Sequence, residues 1–380
     1  MDPLIGQVWQ NADDAATRGH VCVFMNMYSY APMPSSTQHP QPRRAGIVGA
    51  SGYTGAELLR LLDSHPEISV EVITADSQAG SRLDEVHPWL APLGERELVP
   101  TTPDAVDGLD VVFCGLPHEA SIELVPQIMD RVGHVVDLSA GFRFKDPAVY
   151  PRWYGFTHAH PELLDEAVYG LSEMNRDALV DARLIATPGC YVTAAVLALA
   201  PLVSEGHVAD TGIIVDAASG VTGAGRRAEI PYAFTTVDED LTAYGVAGHR
   251  HTPEIEMGVG ARVLFTPHLA PMNRGILATC YAQPLTDGAR TTDGLLNVLA
   301  TRYAGERFIQ VSDAMPHTKA CLGSNLVQIT ARYDERTDTA IVISALDNLT
   351  KGASGGALQA ANIALGLDES AGLSRIGVAP

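Results

Sequence analysis

Basic residues are scarce in this chain: 25 Lys+Arg stand against 45 Asp+Glu, giving a formal net charge of −20. A polyanionic partner needs a basic footprint, so nucleic acid and an anionic membrane surface are excluded as expected partners. Long apolar runs are missing too. No stretch reaches the ~18 consecutive apolar residues of a membrane-spanning helix. The five cysteines (Cys22, Cys114, Cys190, Cys280 and Cys321) are odd in number and widely scattered. They show no metal-ligand spacing and no disulfide framework, so no metal is expected, and reduced thiols of a cytoplasmic protein are the simplest reading. Internal repeats are absent.

What is present is apolar residues in quantity. A hydrophobic content of 46% over 380 residues supports two cores rather than one. Residues 1–43 differ from the rest, with Pro, Ser and Gln concentrated in 30–42 and an apolar run at Val21–Met27 too short for a signal peptide. They read as a disordered or accessory leader. From Arg44 onward, strand-like runs at 45–49, 68–74, 110–114 and 135–138 alternate with helical spacing. That pattern predicts an α/β fold with a parallel sheet of Rossmann type, helices on both faces. After Cys190 the runs 212–217, 262–266, 275–283, 326–331 and 340–346 predict an antiparallel or mixed sheet in an α+β domain. The alanine-rich stretch 352–366 reads as a helix returning to the first core. The expected division is 44–188 plus 347–380 for dinucleotide binding and 189–346 for catalysis and oligomerisation.

Cys190 follows a strand-like run and a Thr187-Pro188-Gly189 corner, and precedes an apolar helix. At a helix N-terminus, unpaired N–H groups and the positive end of the dipole predict a lowered thiol pKa and a reactive thiolate. A small buried cysteine filling space is the competing reading. Gly49-Ala50-Ser51-Gly52-Tyr53-Thr54-Gly55 lies between the first strand and helix, where a glycine turn admits a pyrophosphate to the helix N-terminus. The second strand ends at Asp76, which suits ribose hydroxyls, yet Ser77, Ser81 and Arg82 suit a 2′-phosphate. The choice between NAD and NADP stays open at this point. In His249-Arg250-His251-Thr252-Pro253-Glu254, Thr252 reads as the N-cap of a helix with Pro253 at its first position. That leaves His251 as a general acid/base, or both histidines as structural residues. Ser219–Arg227 offers glycines, hydroxyls and two arginines as an anion cradle, or a solvated connection. Cys114, Cys280 and Cys321 read as core residues, and His118 as a loop histidine near cofactor or substrate.

These motifs, with Leu116-Pro117-His118, Asp137–Arg143, Tyr169–Glu173, Phe265–Gly275 and Asp347–Gly352, occur in one order. Over 44–380 the chain resembles the N-acetyl-γ-glutamyl-phosphate reductase family of arginine biosynthesis. The resemblance implies a Rossmann-type domain and a catalytic domain like those of aspartate-semialdehyde and glyceraldehyde-phosphate dehydrogenases. It implies NADP as cofactor, an acyl phosphate as small-molecule substrate, and a homodimer or homotetramer. The catalytic cysteine falls on Cys190 and the acid/base on His251 or His249, with His251 preferred. Cofactor contacts fall on Gly49, Ser51, Gly52, Tyr53, Thr54, Gly55, Ser77, Ser81, Arg82, Leu116, Pro117 and Asn348. Substrate contacts fall on Arg143, Ser219, Gly220, Gly223, Arg226 and Glu254. Aspartyl phosphate and a carrier-linked aminoadipyl phosphate are the alternative substrates, and a non-enzymatic NADPH sensor is the alternative of a different class.

Overall fold

The structure, a computed structural model, describes residues 41–226 and 228–378. The reading of residues 1–43 as a leader falls, up to residue 40, outside the described residues, as does Arg227. The first strand begins at Arg43, one residue before the expected start at Arg44.

The first sheet has seven strands, all parallel: β1 (Arg43–Val48), β2 (Ile68–Ala75), β3 (Val99–Pro100), β4 (Val111–Cys114), β5 (His134–Asp137), β6 (Val168–Tyr169) and β7 (Leu184–Ala186). Their spatial order is β3-β2-β1-β4-β5-β7-β6, so the order of the strands reverses between β1 and β4. Runs such as Val111-Val112-Phe113-Cys114 are buried throughout, because helices cover both faces of a parallel sheet. Helix Tyr53–Leu62 and the C-terminal helix Gly355–Ala364 share one core with Ile47, Ile73 and Val136. Helix His118–Ile128 shares the opposite core with Val48, Val112 and Val135. The stretch 352–366 thus does return to the first sheet, but its first turn is wound as a π-helix over Thr350–Ser354 before the α-helix begins.

The second sheet comprises β8 (Ile213–Gly220), β9 (Thr242–Ala243), β10 (Val263–Ala270), β11 (Ile276–Ala282), β12 (Ile309–Val311), β13 (Val327–Asp334) and β14 (Thr339–Leu346). It is mixed, in the order β12-β13-β14-β11-β8-β10-β9, with β8 parallel to β10 and antiparallel to β11. Alternating burial along β11 marks one face turned to a core and one turned away. Helix Cys190–Ser204 fills the inner face, with twelve of its residues from Tyr191 to Leu202 buried. A helix apolar all round must be enclosed, and this one is held between the sheet and helices Thr252–Val259 and Thr292–Arg302. No helix among the described residues is long and apolar enough to cross a membrane.

Candidate active site

Strand β7 ends at Ala186, and the Thr187-Pro188-Gly189 corner delivers the chain into helix Cys190–Ser204 with Cys190 as its first residue. Gly189 is the N-cap, in extended backbone, and no side chain caps the helix. Two close approaches frame the cysteine. A Cβ on Gly189 would lie 2.4 Å from His251 Nε2, so only glycine lets the imidazole come this near the corner. A Cβ on Gly352 would lie 2.8 Å from Cys190 Cβ, which brings the π-helical turn directly against Cys190.

The expected lowering of the Cys190 thiol is not what the structure shows. Burial pushes it up, to about 11, outweighing the amide N–H groups of Tyr191 and Cys190 and the charge of Arg143, which pull the other way. His251 is held well below its usual value by burial, reinforced by His249, Arg143, Arg250 and His118. The resting pair is therefore a neutral thiol beside a neutral imidazole. His251 Nδ1 is buried without a hydrogen-bond partner. His249 plays a different part: its Nδ1 accepts the His251 backbone N–H at 3.0 Å, and its ring packs edge-on against Tyr191, Tyr244 and Phe265. Burial and then Arg250 lower its pKa to about 4.

Thr252 is not the N-cap that the sequence suggests. Helix Thr252–Val259 starts at Thr252 itself, after a cap at His251 in helical backbone, with no side-chain cap bond. The helix aims Glu254 inward, where it is fully buried. Glu254 Oε1 accepts the Gly189 N–H at 2.9 Å and the Tyr169 hydroxyl at 2.8 Å, while Oε2 accepts Arg143 Nη1 at 2.9 Å. Arg143 also donates from Nε to Thr187 O at 2.7 Å. Burial works against its charge, but Glu254 keeps the guanidinium protonated. The corner before Cys190 is thereby pinned from both sides by a buried ion pair.

Loop Ser219–Arg226 leaves the end of β8. Ser219 is buried and its side chain meets Tyr191. Gly220 backs onto the Asn273 carbonyl, and Gly223 is exposed over Ser219 Oγ. Asn348 holds this loop from beneath: its Oδ1 accepts the Gly275 N–H at 2.7 Å and its Nδ2 donates to Thr222 Oγ1 at 3.0 Å. Arg226 reaches away from the cysteine, donating from Nη1 to the Ser51 carbonyl at 3.1 Å.

The loop Gly49–Gly55 runs from β1 into helix Tyr53–Leu62, as a dinucleotide site requires. Gly49 has φ +80°, and a Cβ there would lie 2.5 Å from the Gly115 carbonyl. Gly52 caps the helix with no side-chain bond, leaving the first-turn amides of Tyr53, Thr54 and Gly55 turned to the loop. Ser51 is half-buried at the turn. These features fit a pyrophosphate. Leu116 touches the Gly49 position, and Pro117 precedes helix His118–Ile128. Asp76 and Ser77 are exposed just past β2, and Ser81 is half-buried in the same turn. Arg82 is forked onto Asp84 at 3.0 and 2.8 Å rather than free.

The comparisons with known proteins agree on one family. The model for the semialdehyde dehydrogenase NAD binding domain matches residues 44–182, and that for the semialdehyde dehydrogenase dimerisation domain matches 190–348. The chain is 46% identical over 343 residues to N-acetyl-gamma-glutamyl-phosphate reductase of Symbiobacterium thermophilum, covering 88% of this chain and 98% of that protein. It is 44% identical over 347 residues to the protein of that name from Laribacter hongkongensis, covering 89% and 99%. The chain belongs to the N-acetyl-γ-glutamyl-phosphate reductase family. Its fold is that of the aspartate semialdehyde dehydrogenases: that of Vibrio cholerae, solved with ASA, superposes with TM-score 0.62 at 15% identity, over 85% of this chain and 98% of that one. The Candida albicans enzyme, solved with NADP, superposes with TM-score 0.61 at 16% identity, over 85% and 98%.

Within this reductase fold, His87 and Tyr244 carry no sequence signal of their own, and several contacts at the site join motifs that the sequence leaves apart. His87 is fully buried under the glycine loop and donates from Nε2 to the Ala50 carbonyl at 3.0 Å. Tyr244 donates to the Tyr191 hydroxyl at 3.2 Å, and Tyr191 donates to the His268 carbonyl at 3.0 Å. Arg250 Nη1 lies 2.8 Å from His118 Nε2. Each contact joins segments more than 35 residues apart, which periodicity does not register.

Proposed function

We propose that this protein reduces N-acetyl-γ-glutamyl phosphate to N-acetylglutamate semialdehyde and phosphate with NADPH, through a thioester on Cys190. The observation that carries the proposal is the packing of His251 against Gly189 at the N-terminus of the Cys190 helix, with the Arg143–Glu254 pair pinning the same corner.

Cys190 sulfur attacks the acyl carbon, its proton passes to His251 Nε2, and the C–O bond to phosphate breaks. The departing phosphate takes that proton from His251. A thioester remains, whose carbonyl is far more electrophilic than a carboxylate. Bound NADPH supplies the hydride that this carbonyl accepts. The first-turn amides of Cys190 and Tyr191, which point at the sulfur in the resting protein, are placed to stabilise the oxyanion. The oxyanion expels sulfur, the semialdehyde leaves, and a solvent proton relayed by His251 restores the thiol. His249 positions His251 through the bond to its N–H, and Glu254 positions Arg143 and the Gly189 corner. Arg143 and Ser219 face the anionic substrate.

NADPH is the reductant in this reading, held at Gly49–Gly55 with the 2′-phosphate near Ser77 and Ser81. Asp76 is exposed there. The active form is a homodimer built on the second sheet. Ile214 and Leu264 stand exposed on the outer face of β8 and β10, and Ile230, Phe234, Leu241 and Val246 are exposed on the arm before β10. A second copy would cover both. The protein acts in the cytoplasm. Cys190→Ser tests the reading: turnover of the acyl phosphate disappears while NADPH binding stays near normal. Retained turnover contradicts it.

A further inference from the structure

Among the described residues of the anion loop, Arg226 is the side chain that reaches the cofactor loop. Its Nη1 donates to the Ser51 carbonyl at 3.1 Å, across 175 residues of sequence. A guanidinium has five N–H donors in a planar fork, so most of the fork remains available beside the Ser51 contact. Ser51 immediately precedes Gly52, whose helix presents uncapped first-turn amides. The neighbouring carbonyl, on Ala50, is held by His87 Nε2, and Arg226 is near enough to add to the lowering that burial imposes on His87. The guanidinium thus stands where a pyrophosphate seated on helix Tyr53–Leu62 has its charge, in a protein whose net charge is −20.

The other end of the same loop lies against the nucleophile. Ser219 meets Tyr191, the residue after Cys190, and Gly223 packs over Ser219 Oγ and Asn348 Nδ2. Asn348 in turn ties Thr222 to Gly275. Between them the chain winds as a single short helical turn, Val221–Ala224, closed by Gly225.

We propose that Arg226 is a latch between the two ligands: it grips the pyrophosphate of bound NADPH beside Ser51 and so fixes loop Ser219–Gly225 in the form that receives the acyl phosphate. This rests on the function proposed above. Each ligand then tightens the other by the same factor, because the coupling is reciprocal.

The test uses the full chain in a Cys190→Ser background, so that no chemistry intervenes. NADPH affinity is read from its fluorescence, and N-acetylglutamate semialdehyde affinity by calorimetry with and without saturating NADPH. Arg226→Met should raise the NADPH Kd about tenfold or more, as loss of a charge-assisted hydrogen bond would. It should also bring the ratio of semialdehyde affinities with and without NADPH to one. Arg226→Lys should recover part of the NADPH affinity. Arg226 is exposed, so these variants fold. An unchanged NADPH Kd overturns the proposal, and so does a raised Kd with the ratio kept as in the parent. Failure of the unmutated protein to reduce the acyl phosphate would strike the functional reading instead, and would leave the NADPH comparison standing.

Discussion

His251 Nε2 lies 2.4 Å from where a side chain on Gly189 would begin. The proposed nucleophile and its proposed proton partner are linked through this contact, since Gly189 is covalently joined to Cys190. Replacing Gly189 by alanine forces either the imidazole or the corner to move. Gly189→Ala should lower kcat about a hundredfold, the scale of loss for misplaced reacting groups. Its NADPH Kd should match that of the parent. Steady-state kinetics beside fluorescence binding checks this, and an unchanged kcat means that His251 works from elsewhere.

The resting thiol is raised to about 11 by burial, and His251 is neutral. A thiol below its pKa is protonated, so the thiolate fraction of the free protein should climb about tenfold per pH unit across neutral pH. Iodoacetamide modification of Cys190 in the free protein, followed between pH 6.5 and 9.5, should therefore rise without a plateau. A plateau near neutral pH would show a thiolate already formed, as the bare helix-dipole argument expects.

Removing the charge of Glu254 strands Arg143, which is buried at 9% exposure. Loss of one partner of a buried pair costs about 3–5 kcal/mol. Glu254→Gln should thus lower the melting temperature, and it should speed alkylation of Cys190, because the Glu254 charge helps to raise that thiol while Arg143 draws it down. Glu254→Asp, which keeps the charge, should restore part of both. Thermal unfolding and alkylation rates of the two variants check the assignment, and equal effects from both would refute the role of charge.

Leu264 is 54% exposed near the start of β10, on its outward face. Leu264→Asp would bury a carboxylate in the proposed dimer. Sedimentation of this variant should show monomers at concentrations where the parent is a dimer; a variant that stays dimeric places the interface on another face.

Much of the architecture was legible because it is local. The parallel sheet follows from apolar runs such as Val111–Cys114 spaced by helical stretches, and the Cys190 helix from its proline-glycine corner. What escaped is what depends on distant contacts. The sequence shows the helix start that favours a lowered Cys190 thiol, but not the burial that raises it, where Gly352, 162 positions on, packs close. Thr252 was misread as the cap because Thr-Pro-Glu is a common helix opening, whereas the His251 N–H bond to His249 starts the turn one residue earlier. Glu254 was read as a substrate contact, yet all its observed partners (Gly189, Tyr169 and Arg143) are internal. Arg226 was read with the substrate, and only the folded chain brings it to Ser51.

The thioester on Cys190 is the centre of this account, and the protein mixed with N-acetyl-γ-glutamyl phosphate in the absence of NADPH tests it most directly. Intact-mass and peptide spectra should show one N-acetylglutamyl group on Cys190, formed with one equivalent of released phosphate and removed by NADPH as semialdehyde. No adduct should form on the Cys190→Ser protein. Phosphate release that requires NADPH and leaves no adduct, or an adduct on any other residue, would contradict the account.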